Sequence, residues 1–257
     1  MSRKTSPPLL TLLILPLLPL LLLPFAPGAR AFSDGPVRLV YAESSTAGRG
    51  TKEYLLRPEP GGGWRIVLRE GRVERVIVCD AALDTLREEY RDPASGDSLT
   101  MRREGDALRL TGTREGRAVD RSFPLEAPWY GSVLLLRAFV LSDAPEALFH
   151  VSKPEAEQVV LLRAIRQGAE TVEAGGRPVE AVRAKYTVPG VRGLFWSSLY
   201  WYRASDGLLV RTEETRGGPG TPTVFAELLE AAPAPGALGS AAPGPGLAGA
   251  PPRPALP

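Results

Sequence analysis

Hydrophobic and polar residues alternate in short runs along most of this chain, and glycine turns separate one run from the next. Residues 65–69, with Ile66 and Leu68 on one side, lead through Glu70 and Gly71 into 73–79. Residues 99–103 lead through Glu104, Gly105 and Asp106 into 108–113, and that run leads through Arg114, Glu115 and Gly116 into 119–123. Residues 194–202 reach 208–215 through Ser205, Asp206 and Gly207. A period of two describes a strand with one wet face, and glycine supplies the positive φ that a tight hairpin demands. These connections predict an antiparallel meander.

The pattern breaks once. After Pro128, Trp129, Tyr130 and Gly131, residues 133–141 read VLLLRAFVL, apolar on every side. Such a run fits a buried strand or a short buried helix. Gly131 and Ser132 before it and Pro145 beyond it favour the helix. Strands resume at 148–152, 158–165 and 170–173, then across Ala174, Gly175 and Gly176 at 179–188, with a last one near 223–229. No strand–helix–strand alternation occurs, which excludes a parallel doubly wound sheet. The predicted fold is mainly β: a large curved antiparallel meander sheet or open half-barrel with one short helix. Arg and Glu occupy many alternate strand positions, where an outer-membrane barrel needs apolar side chains facing lipid.

Both ends of the chain differ from this middle. Arg3 and Lys4 precede a leucine-rich stretch over residues 9–23 that Pro16 and Pro19 interrupt, followed by Ala29, Arg30 and Ala31. That order is a signal peptide with a small-x-small cleavage triplet, and the expected cut falls after Ala31. A permanent membrane helix would need about 20 uninterrupted apolar residues, and no second run of that kind follows. Residues 231–257 are almost entirely Ala, Pro and Gly, a tail too poor in bulky apolar surface to offset its ordering entropy. The expected organisation is therefore a signal peptide over 1–31, a single β-rich domain over 32–230 and a disordered tail over 231–257. Export implies the periplasm, with secretion as the alternative.

Export also alters the charge. The whole chain is formally +2, but Arg3, Lys4 and Arg30 leave with the leader, taking 31 basic residues to 28 against 29 acidic ones. No block of Lys and Arg forms a track for phosphates, which excludes nucleic acid as an expected partner. Cys79 is the single cysteine, so no internal disulfide forms and the core must carry the fold.

Candidate chemistry is thin. His150 is the only histidine and no G-x-S-x-G elbow accompanies it, so it reads as a structural residue on a strand. Cys79 reads as a small buried hydrophobe, and one His with one Cys has no recognised zinc spacing. Glu88 and Glu89, like Glu213 and Glu214, are neighbours on strands and point to opposite faces, so they read as solvated charges and not as an acid–base pair. Gly61, Gly62 and Gly63 lack the Lys-Ser/Thr that a phosphate loop needs. The densest aromatic run is 195–202, where period two places Trp196, Tyr200 and Tyr202 on one face and Phe195, Leu199 and Trp201 on the other. Either this is the central strand of the core, or one face lines an apolar ligand cavity. In the second case Trp196, Tyr200 and Tyr202, with Trp129 ahead of the helical segment, are the ligand-binding candidates. No metal, cofactor or catalytic residue is expected.

The order of parts carries a resemblance. Thr85 to Pro93 (TLREEYRDP), then Leu134 to Phe139 (LLLRAF), then Glu173 to Arg183 around Gly175 and Gly176, and finally Leu199-Tyr200-Trp201-Tyr202 running through Asp206 and Gly207 to Arg211, follow one another. Over about residues 37–230 this resembles the domain-of-unknown-function 3108 family of secreted bacterial proteins. "Tryptophan, turn, hydrophobic, arginine" is also similar to the lipoprotein-carrier fold, an open β half-barrel whose concave face holds acyl chains. The resemblance implies a β half-barrel and carries over no functional residue. Two functional expectations follow. The first is an exported protein that binds or carries a hydrophobic, lipid-like ligand in the sheet's concavity. The alternative is a structural or interaction module that holds another envelope protein.

Overall fold

The computed structural model describes residues 32, 35–215 and 221–234. The leader, its expected cut after Ala31 and residues 235–257 of the tail lie outside them. Fourteen antiparallel strands form one sheet. The first eight are β1 (Val37–Ser45), β2 (Gly48–Pro58), β3 (Trp64–Glu70), β4 (Val73–Cys79), β5 (Thr85–Asp92), β6 (Asp97–Glu104), β7 (Ala107–Arg114) and β8 (Arg117–Pro124). A linker carries a 3-10 turn (Val133–Leu136) that runs directly into helix α1 (Arg137–Leu141). The return meander is β9 (Glu146–Lys153), β10 (Gln158–Ala174), β11 (Arg177–Thr187), β12 (Ser197–Arg203), β13 (Leu209–Thr215) and β14 (Thr223–Pro233). The spatial order runs β8 to β1, then β14 down to β9, so the first and last strands pair at the centre. The edges β8 and β9 are not hydrogen-bonded to each other, which leaves the half-barrel open.

Period two does the sorting. Leu39 and Tyr41 of β1, Tyr54 and Leu56 of β2, Trp64, Ile66 and Leu68 of β3, and Ile77 and Cys79 of β4 all face the interior. The residues between them stay on the wet face, where Arg38 bonds Glu53 and Arg69 reaches Glu74 at 3.1 Å. A second cluster, built on Leu99, Met101, Leu108, Leu110 and Trp129, lies under β5–β8.

The all-apolar run is helical, as its flanks predict. Ser132 caps it by accepting the Leu134 N–H at 3.3 Å, and at the other end the Arg166 guanidinium donates to the carbonyls of Val140, at 2.5 Å, and Ser142. A strand would have needed partners on both sides in a sheet that is already paired. As a helix, the segment sinks Leu134, Leu135, Leu136, Phe139 and Val140 into the concavity, at about 1.5–3 kcal/mol per large side chain. The hollow is therefore mostly plugged by the chain itself.

Three details depart from the sequence reading. Residues 158–174 form one strand, not two, bent where Gly168 (φ 105°) follows a bulge. Residues 194–196 are not in β12; Leu194 closes a 3-10 turn (Val191–Leu194), and β12 starts at Ser197. The last strand continues through Pro233, because Ala231, Ala232 and Pro233 pair with Leu39, Arg38 and Val37, and small side chains are no obstacle to a ladder.

Candidate functional site

The plug does not fill the concavity completely. A cleft of about 350 Å³ remains beside the 3-10 turn. Its buried walls include Tyr54 of β2, Leu68 of β3, Leu162 of β10, Tyr186 of β11 and Tyr200 of β12, and Trp196 and Glu155 stand toward solvent. Each wall residue arrives by strand alternation from a different strand, so the sheet's curvature makes the site and no single segment contains it. Tyr186 and Tyr200 stack with ring centroids 4.1 Å apart, and Phe149 meets Tyr186 edge-on at 5.3 Å behind them.

The polar groups of the cleft are mostly engaged. Lys52 lies 2.9 Å from Glu43 and 3.3 Å from Glu70. Burial works against its charge, but the Tyr54 hydroxyl and the carboxylates of Glu214, Glu70 and Glu43 outweigh that and raise its pKa. Arg75 donates from Nε to Glu88 at 2.6 Å and from Nη2 to the Gly131 carbonyl at 3.0 Å. Behind it, the Ser152 hydroxyl donates to Glu88 and accepts the Trp129 indole N–H at 3.1 Å. Burial pushes the Glu88 carboxyl above the usual range, against the opposing pull of Arg75 and Ser152.

Glu88 corrects the sequence reading, which placed it among solvated charges. It is fully buried, because regular alternation puts it on the inward face with Tyr90, directly opposite buried Ile77; the slip in register between Val78 and Cys79 then brings Thr85 onto that face in place of Leu86. Glu89 stays outside, bonded to Arg91 at 3.0 Å, so the two carboxylates do diverge. Glu213 faces Arg211 at 2.5 Å and Glu214 lines the cleft.

The four aromatic candidates separate into two pairs. Trp196 and Tyr200 line the cleft, and the Trp196 indole N–H is held by the Thr215 carbonyl at 2.6 Å. Tyr202 points inward but lies beneath the 3-10 turn, where its hydroxyl donates to the Val133 carbonyl at 2.9 Å. Trp129 is wholly buried in the second cluster and does not reach the cleft. The sequence reading missed Tyr54, Tyr186, Arg75 and Lys52. Tyr54 and Tyr186 sit at inward positions of alternating strands, a signal that marks them as core but cannot single out a cavity wall.

His150, read from the sequence as a strand residue, lies buried on β9. Its Nε2 accepts the Glu126 backbone N–H at 3.3 Å while its main chain pairs with Pro128 and Tyr130. Cys79 is buried, with Sγ 3.5 Å from the Trp64 carbonyl. Among the described residues no group of three or more His, Cys, Asp or Glu side chains is placed to hold a metal, and no helix is long and apolar enough to cross a membrane.

The chain path is similar to that of a β-barrel-like protein of the domain of unknown function DUF1849 from Brucella abortus. The TM-score is 0.54 at 10% identity, over 78% of this chain and 98% of that one. At that identity the likeness establishes the fold, an open antiparallel half-barrel, and nothing about activity. Weaker likenesses are to the hypothetical lipoprotein YmcC from Escherichia coli K12 (14% identity, TM-score 0.36, 79% of this chain and 90% of that one) and to a putative outer membrane lipoprotein-sorting protein domain from Vibrio parahaemolyticus (7%, 0.27, 79% and 86%). No protein-family model and no curated protein matches the chain, so the resemblance to the 3108 family rests on the residue order alone.

Proposed function

We infer that this is an exported binding protein of the bacterial envelope whose half-barrel takes a small hydrophobic ligand with a polar end, and that it performs no catalysis. The cleft carries the reading: about 350 Å³ of space walled by Tyr54, Tyr186, Tyr200 and Trp196, with charged side chains contributed by both halves of the sheet, among them Lys52, Arg75, Glu155 and Glu214. Aromatic walls with a few fixed polar groups are how ligand pockets gain affinity and orientation together. Lys52 and Arg75 are each committed to carboxylates, which supports gripping over proton transfer. The leader supports export, and the periplasm is where such a chain would meet lipid-like molecules.

Because the helix plugs most of the hollow, the ligand is smaller than a full lipid, or enters by one chain only. Native mass spectrometry of the chain purified from its own envelope fraction, together with titration by the apolar fluorophore N-phenylnaphthylamine, tests this. The expected result is a bound mass, and probe binding that Trp196→Ala and Tyr200→Ala each weaken at least tenfold. A chain that is always ligand-free and takes up no probe would overturn the proposal.

A further inference from the structure

The far end of the half-barrel holds a second space, of about 440 Å³, that the cleft reading does not use. Phe32, Leu39, Leu56 and Leu208 give it an apolar wall, and Arg137, the first residue of α1, lines it as well. Arg137 is 8% exposed, with a buried Nε that has no hydrogen-bond partner, and among the described residues no carboxylate lies within ion-pair distance. Its guanidinium rests 5.1 Å from the Phe32 ring centroid. The nearby acid is taken: Asp206 receives Arg203 through two bonds of 2.9 and 2.6 Å and the Leu208 N–H at 3.0 Å. The stem of Arg137 is also confined, since a Cβ on Gly207 would come within 2.6 Å of its Cγ.

A cation held nine-tenths out of water with no carboxylate in ion-pair contact is costly unless something else supplies more negative charge. Here the fold fixes the cation in the wall of a mainly apolar cavity whose other charged lining groups, Arg203 and Asp206, are paired with each other. We propose that this cavity is a second ligand site, which receives the carboxylate of a small apolar acid on Arg137 and its hydrocarbon part against Leu39, Leu56 and Leu208. A guanidinium and a carboxylate match in planar geometry. One uncommitted positive charge suits a monoanion, whereas a phosphate dianion would bring more charge and more oxygens than this wall can solvate. Burial lowers the Arg137 pKa relative to an ordinary arginine, the direction expected of a cation short of partners.

The test is calorimetric titration of the chain, purified from its envelope fraction and stripped of lipid, with decanoate, decanol and inorganic phosphate. Decanoate is expected to bind saturably, decanol at least tenfold more weakly, and phosphate not at all. Arg137→Gln should weaken decanoate at least tenfold, leave N-phenylnaphthylamine binding in the cleft unchanged and melt no lower than the parent chain, because it removes an unpaired buried charge. Trp196→Ala should do the reverse, losing the fluorophore and keeping decanoate, so the two sites stand or fall separately. Equal binding of decanoate and decanol, no decanoate binding, binding of phosphate alone, or an Arg137→Gln chain that unfolds more easily would each overturn the proposal.

Discussion

Tyr202 offers the sharpest test of how the plug is held to the sheet. Its single hydroxyl proton goes to the Val133 carbonyl, so the short contact with Tyr186 must have Tyr186 as donor. The relay therefore runs Tyr186 to Tyr202 to Val133, with both rings fully buried. Tyr202→Phe removes two hydrogen bonds and strands the Tyr186 hydroxyl without an acceptor. A lost pair costs about 1 kcal/mol, and a buried group left unpaired costs about 1–3 kcal/mol, so about 2–3 kcal/mol is expected in total. For a domain of about 200 residues that lowers Tm by about 4–12 °C. Tyr186→Phe leaves Tyr202 bonded to Val133 and should cost only about 1 kcal/mol. The double variant is the discriminating one: the Val133 carbonyl loses its donor as in Tyr202→Phe, but no Tyr186 hydroxyl is left stranded, so it should be no less stable than Tyr202→Phe alone. Urea denaturation with the three variants measures this. A Tyr202→Phe chain within about 0.5 kcal/mol of the parent, or a double variant as unstable as the sum of the singles, would refute the relay.

Three further outcomes are expected. Burial lowers the His150 pKa, and its Nε2 must stay unprotonated to accept the Glu126 N–H; the unfolded chain therefore takes up the proton first, and stability should fall as pH drops from about 6.5 through the native value. Chemical denaturation across pH 4–8 should show a shallower acid-side slope in His150→Gln. Burial pushes the Cys79 thiol up to about 12, so iodoacetamide at pH 8 should label it only at the rate of unfolding; rapid labelling of the folded chain would contradict its placement. Arg114, Arg117 and Arg121 from β7 and β8 all converge on Glu157 just before β10, tying together the two ends of the sheet that its hydrogen bonds leave apart. Glu157→Gln should raise amide hydrogen exchange in β8 and β9 while leaving β1 and β14 protected, and exchange equal to the parent's would show that this tie does not hold the seam.

The β class and most hairpins were legible because each depends on neighbours in sequence. Ile66 and Leu68 alternate with arginines, and Gly71, Gly105 and Gly116 each sit at a positive φ in their turns. The helical segment was legible through Ser132, whose side chain caps its opening 3-10 turn. The bulge that puts Thr85 inward and Leu86 outside was not, since nothing in Thr85-Leu86-Arg87-Glu88 distinguishes a slipped register from a regular one. Nor was the difference between Tyr200 and Tyr202, two inward residues on the same strand. One borders open space and the other lies under the 3-10 turn, and that depends on where the plug comes to rest.

Local pattern was enough to specify strands, turns, the capped helix and an apolar interior, because periodicity and turn chemistry act over a few residues. Closure of β14 onto β1, the depth of the plug and the two spaces it leaves arise from pairings between residues far apart in the chain. Arg137 shows the limit plainly. In the sequence it is one arginine among many, and only the packed fold strips it of water and sets it beside an apolar cavity with the nearest carboxylate already taken.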